Sequence, residues 1–80
     1  MPHLDRVRTI LSTTLGLRKL QLEPDTPLLG NLPELDSMAV ANVITALEEN
    51  FGIQIHDDEI SARHFATLAS LSAFVESKLA

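Results

Sequence analysis

Cysteine is missing from this 80-residue chain. Its absence excludes disulfides, and with them any thiolate nucleophile or thiolate metal site built from the chain itself. Tryptophan and tyrosine are also missing, which leaves Phe51, Phe65 and Phe74 as the aromatics. A core made from such a sequence is mostly Leu, Ile, Val and Ala, soft in outline and able to part around a flexible apolar guest. No apolar run approaches the length of a membrane span. Between Gln21 and Ile60 there is no lysine or arginine, only acids: Glu23, Asp25, Glu34, Asp36, Glu48, Glu49, Asp57, Asp58 and Glu59. The first twenty residues lean the other way, with Arg6, Arg8, Arg18 and Lys19 against Asp5, and the net charge is −5. Nucleic acid is not the expected partner of such a surface. A protein with a basic patch is its natural complement, although the acids serve equally well to keep a small domain soluble.

Residues 1–80 read as one domain, near the lower size limit for a chain held together by core burial alone. The apolar fraction of 45% is ample for that core. With Asp5, Arg6 and Arg8 among its apolar residues, the N-terminus does not read as a signal peptide, so a cytoplasmic location is expected.

Leu4, Val7, Ile10, Leu11 and Leu15 fall at three- and four-residue intervals, which predicts a first amphipathic helix over residues 3–15, ended by Gly16. Pro24, Pro27, Gly30 and Pro33 then rule out a long helix before Leu35. Leu20, Leu22, Leu28, Leu29, Leu32 and Leu35 make that stretch a packed crossover with room for one short helical turn. Val40, Val43, Ile44, Leu47 and Phe51 predict a second helix over 37–50, broken by Gly52, after which Ile53-Gln54-Ile55 is a brief extended piece. Asp57, Asp58 and Glu59 place acids at the start of a short third helix ending near Arg63. Thr67 is a plausible cap for the last helix, whose stripe is Leu68, Leu71, Phe74, Val75 and Leu79. The fold class is therefore all-α: a small four-helix bundle of three longer helices and one short one, with a long packed first loop.

Leu35-Asp36-Ser37-Met38 sits where the loop gives way to the second helix. Asp36 or Ser37 can accept a hydrogen bond from the first turn, and a phosphate esterified to Ser37 would lie in the favourable field of the free N–H groups. An ordinary helix cap explains the same residues. Ser37 is not a self-sufficient nucleophile: no Gly-x-Ser-x-Gly elbow surrounds it and no histidine is placed to act as its base. His3, His56 and His64 read as scattered surface residues. The run His56, Asp57, Asp58, Glu59 and His64 has no calcium-loop spacing and its consecutive acids diverge, so no metal site is expected. Glu48 and Glu49 read as a solvated helix face, and Met38 as a core residue or a contact for a partner.

The segment Leu32-Pro33-Glu34-Leu35-Asp36-Ser37-Met38, followed by Leu47-Glu48-Glu49-Asn50-Phe51-Gly52-Ile53-Gln54-Ile55, closely resembles the acyl carrier proteins of fatty acid and polyketide synthesis. The likeness extends through Arg6-Val7-Arg8 to Leu15-Gly16-Leu17. It implies a four-helix bundle that catalyses nothing and carries 4′-phosphopantetheine as a phosphodiester on Ser37, preceded by Asp36. The thiol would then arrive with the prosthetic group, in keeping with the missing cysteine. The resemblance also implies a phosphopantetheinyl transferase, using the divalent metal that phosphoryl transfer needs, and acyl-loading and acyl-processing enzymes with basic docking patches. Met38, Glu48 and Glu49 are the expected partner contacts, and Val43, Ile44, Leu47, Ile55 and Leu68 the expected acyl pocket. A monomer is expected.

The chain departs from the family at Met38, where leucine is commonest, at Ala39 and Asn42, where fatty-acid carriers show acids, and at His56, where proline is common. These departures favour a specialised bacterial fatty-acid, polyketide or cell-envelope pathway over a housekeeping role. An aminoacyl or peptidyl carrier using the same arm is the nearest alternative, although the Gly-Gly usual before its serine motif is lacking. From a different class, the chain could be an unmodified acidic helical adaptor.

Overall fold

Gly16 and Gly52 end the first two long helices in the same way. Their φ values of 70° and 64° lie in the left-handed region, and each donates its N–H back into the last turn, to the Ser12 and Glu48 carbonyls respectively. A side chain at either site would be strained whatever the space around it. The computed structural model describes residues 3–16, 22–29, 35–56 and 58–80. It contains α1 (Leu4–Leu15), α2 (Ser37–Phe51), a 3-10 helix (Ala62–Phe65) and α3 (Leu68–Leu79). Among the described residues there is no strand, only an isolated bridge between Pro27 and Thr67. The expected all-α bundle of three longer helices and one short one is what the chain forms. Leu17, Arg18, Lys19, Leu20, Gly30, Leu32, Pro33, Glu34 and Asp57, all named in the sequence reading, lie outside the described residues.

α1 packs against both α2 and α3, and the 3-10 helix against α3. Val7, Ile10 and Leu11 of α1 meet Val43 and Leu47 of α2 and Leu68, Leu71, Phe74 and Val75 of α3 in one core. Leu22, Leu28, Leu35, Ile55 and Phe65 join them from outside the α-helices. The described part of the first loop, residues 22–29, is thus packed on the helices, fastened by its backbone as well as by Leu22 and Leu28. The Leu28 N–H donates to the Ala66 carbonyl at 2.9 Å, the Leu29 N–H to the Phe65 carbonyl at 3.0 Å, and the Ala69 N–H to the Pro24 carbonyl at 2.8 Å. The last of these satisfies a first-turn donor of α3 that the helix itself leaves unpaired. Thr67 caps α3 as expected, its hydroxyl accepting the Ser70 N–H at 3.0 Å.

The short third helix begins later than its acids suggest. Residues 58–59 form a turn, and the helix spans Ala62–Phe65. The ring Nδ1 of His64 accepts the Ser61 N–H at 2.9 Å, while the Ser61 carbonyl accepts the His64 N–H at 3.0 Å, so the start signal is Ser61 rather than an acid. Two histidines read as surface residues are half-buried against aromatics. His64 lies 4.6 Å from the Phe74 ring, and His3 meets Phe51 edge-on at 5.6 Å. Arg6 stands 4.6 Å over the other partner of that contact, Phe51, and donates to the Asn50 carbonyl, tying the start of α1 to the end of α2.

Ser72 of α3 is fully buried, and its hydroxyl has no hydrogen-bond partner among the described residues. Such an orphan costs about 1–3 kcal/mol. Ser72→Ala is therefore expected to raise the melting temperature, by roughly 4–8 °C per kcal/mol recovered in a domain of this size. Thermal unfolding followed by circular dichroism checks it; a lowered midpoint would mean that the hydroxyl is paired in solution.

Candidate functional site

Asp36 caps α2. In extended backbone, it accepts the Ala39 N–H on its carboxylate at 2.8 Å, and its carbonyl accepts the Val40 N–H at 2.8 Å. Because Asp36 does the capping, Ser37 does not have to. Ser37 is exposed, and neither its hydroxyl nor its N–H, nor the N–H of Met38, bonds a described residue. A free hydroxyl thus stands beside two free backbone donors at the positive end of a 15-residue helix. These are the donors an esterified phosphate needs. The residues present fit a phosphodiester-linked group.

Beside Ser37 runs an open groove of about 540 Å³, lined by Leu29, Leu35, Asp36, Ser37, Val40, Ile44, Ile60, Ser61, Ala62 and Phe65. Ser37, Val40 and Ile44 stand at i, i+3 and i+7, one stripe of α2. Val43 and Leu47 form the next stripe and are fully buried. The helix therefore divides its apolar residues: one row closes the core, and the other, half-buried, forms the groove wall in register with Ser37. Phe65 and Leu35 are buried at 3% and 5% exposure and make the floor; Leu29, 41% exposed, is a lip. The lip is held by its backbone bond to Phe65.

Of the five residues expected to line an acyl pocket, Ile44 lines this groove. Val43, Leu47, Ile55 and Leu68 are core residues at 0–7% exposure. The spacing of Ser37, Val40 and Ile44 could have indicated the α2 wall from sequence. Leu29, Leu35, Ile60, Ala62 and Phe65 carried no such signal, because they arrive from three other segments. Met38 is 76% exposed and is not a core residue. Glu49 is exposed and solvated as expected, but Glu48 is not: half-buried, it accepts the Ile55 N–H at 2.8 Å and so fastens the chain that follows Gly52. Among the described residues no cluster of His, Asp or Glu could hold a metal ion, and no helix is long and apolar enough to cross a membrane.

Glu59 lies next to the groove. Its carboxyl is held below the usual glutamate range, first by the hydrogen bond from Lys78 and then by that from the His56 backbone. A depressed acid contributes stability above its unfolded value and loses it as pH falls through its folded value. Wild type is therefore expected to lose stability on acidification across the glutamate range and below, and Glu59→Gln to lose less. Urea midpoints at a series of pH values measure this; parallel profiles would leave Glu59 without a role in acid sensitivity.

The chain matches a family model described as "Phosphopantetheine attachment site" over residues 5–75. It is 33% identical over 76 residues to an acyl carrier protein of Guillardia theta, the match covering 95% of this chain and 90% of that protein. An acyl carrier protein of Solidesulfovibrio magneticus is 28% identical over 74 residues, covering 92% of this chain and 91% of its own. Among solved structures, the solution NMR structure of a holo acyl carrier protein from Nitrosomonas europaea superposes with a TM-score of 0.89 at 60% identity, covering 99% of this chain and 98% of that one. The chain belongs to the acyl carrier proteins, non-catalytic proteins that carry acyl groups on a covalently attached phosphopantetheine. The unmodified-adaptor alternative falls with that membership.

Proposed function

We propose that Ser37 is the attachment point, and that the chain carries acyl intermediates as thioesters in a specialised bacterial fatty-acid, polyketide or cell-envelope pathway. The observation that carries the reading is the free Ser37 hydroxyl beside two free N–H groups, opening onto an apolar groove. When attached, the arm supplies the terminal thiol that a cysteine-free chain lacks. Asp36 holds the first turn so that the Ser37 and Met38 N–H groups face the phosphodiester. Val40, Ile44 and Ile60 offer an apolar wall, from which water is expelled at about 25 cal/mol per Å² of surface covered. The specialised pathway rests on the uncharged residues Met38, Ala39 and Asn42 at the start of α2. Acyl cargo is favoured over aminoacyl or peptidyl cargo by the apolar lining of the groove. The chain acts as a single domain over residues 1–80, as a cytoplasmic monomer.

Incubation with coenzyme A and a promiscuous phosphopantetheinyl transferase should add one arm, read by intact mass. A chain that stays at its unmodified mass with several such enzymes overturns the reading. The partners are that transferase and the acyl-loading and acyl-processing enzymes, which meet the acidic surface with basic patches. Glu49, exposed and unpaired among the described residues, is the acid on α2 free to take part, whereas Glu48 is occupied by Ile55. Glu49→Lys is expected to slow loading through the association rate, and added salt to slow wild type likewise. Stopped-flow loading rates indifferent to both would leave Glu49 as a solubiliser.

A further inference from the structure

One wall of the groove, Ile60 to Ala62, belongs to no α-helix, so something else must hold it in place. The turn before it is closed on itself: the Glu59 N–H donates to the His56 carbonyl at 3.0 Å, and Glu59 Oε2 accepts the His56 N–H at 2.9 Å. The other carboxylate oxygen, Oε1, accepts Lys78 Nζ at 2.5 Å, across 19 residues of chain. Among the described residues this is the one polar bond that joins segment 58–60 to a helix. Lys78 lies in the last turn of α3. The opposite lip is fastened to the 3-10 helix and its cap by the Leu29–Phe65 and Leu28–Ala66 backbone bonds, while Thr67, the cap of α3, bridges Pro27. The groove is thus braced on both sides: by backbone pairing of Leu29 with Phe65 of the 3-10 helix, and by an ion pair from α3 to the residue next to Ile60.

We infer that Lys78, through Glu59, is a positioning residue that sets the width of the groove and hence the length of acyl chain it shelters. The inference rests on the carrier reading and deepens it. The pair's side chains are 23% and 30% exposed, so bulk solvent screens it only in part. A partly exposed ion pair adds little to global stability, but here it is the strut of a wall. Dispersion contacts fade steeply when a gap opens. A small outward relaxation of Ile60 would therefore cost a bound chain much of its contact while leaving the core of Leu47, Leu68 and Leu71 untouched.

The test compares wild type, Lys78→Gln, Lys78→Arg and Glu59→Gln as holo, butanoyl, octanoyl and dodecanoyl forms, each verified by intact mass, by melting temperature. A guest that binds only the folded state raises the midpoint. The expected result is a rise for octanoyl over holo in wild type that falls by more than half in Lys78→Gln and Glu59→Gln. The holo midpoints should shift little, the chain length giving the largest rise should change, and Lys78→Arg should restore the wild-type profile. A merely structural pair would lower holo and acyl forms together and leave their difference intact; that outcome overturns the inference. So does a wild type that takes up the arm but melts alike with every cargo. A wild type that never gains the arm's mass overturns the carrier reading itself, and this inference with it.

Discussion

Ser37→Ala is expected to abolish uptake of the phosphopantetheine arm completely, with the transferase and coenzyme A in excess and the product read by intact mass. The fold should be indifferent to the change. Ser37 is exposed, its hydroxyl bonds no described residue, and the capping is done by Asp36. The melting temperature of Ser37→Ala should therefore match that of unmodified wild type, which separates loss of the acceptor from loss of structure. Asp36→Ala makes the complementary change: it leaves the hydroxyl but removes the acceptor for the Ala39 N–H, at a cost of about 1 kcal/mol. An arm found on Ser37→Ala would place the attachment at another hydroxyl and overturn the assignment.

Leu47→Ala is the substitution expected to damage stability most. Leu47 is fully buried where α2 meets the core, and truncating such a leucine costs about 2–5 kcal/mol. For a small domain whose whole stability lies near the low end of about 5–15 kcal/mol, that is enough to leave a large unfolded fraction at room temperature. Urea unfolding would show the midpoint fall steeply with little change in slope. Ile44→Ala, three residues earlier but half-buried on the groove stripe, should cost far less and mainly weaken the hold on cargo. Equal losses at the two positions would mean that the groove wall is part of the core.

Much of this was legible in the chain. The apolar intervals of α1 and α2, the glycines at 16 and 52 and the cap at Thr67 are local signals, each acting within a turn or two of its own position. The Asp36–Ser37 pair at a helix start is of the same kind, and the resemblance carried by those residues led to the family that the comparisons establish. What was not legible has one cause. Apolar periodicity marks Val43, Leu47, Ile55 and Leu68 as a buried face without saying what lies against it, and in the fold they close the core. Glu48 reads as a solvated acid in sequence because its partner, the Ile55 N–H, comes within reach only after the chain turns at Gly52. Glu59 reads as a first-turn acid of the third helix because Lys78, which holds it, is distant in the chain.

The sequence by itself determined the three α-helices, the absence of a thiol and the place of Ser37 at the start of α2. Those are matters of backbone torsion, spacing and residue chemistry, settled over a few residues. Tertiary structure alone decided that Val40 and Ile44 face a groove while Val43 and Leu47 face the core. It alone brought Leu29, Ile60, Ala62 and Phe65 to that groove, and set Lys78 behind its wall. Each of those facts depends on which distant segment packs against a given stripe, and packing is fixed by the shapes and bonds of residues far apart in the chain.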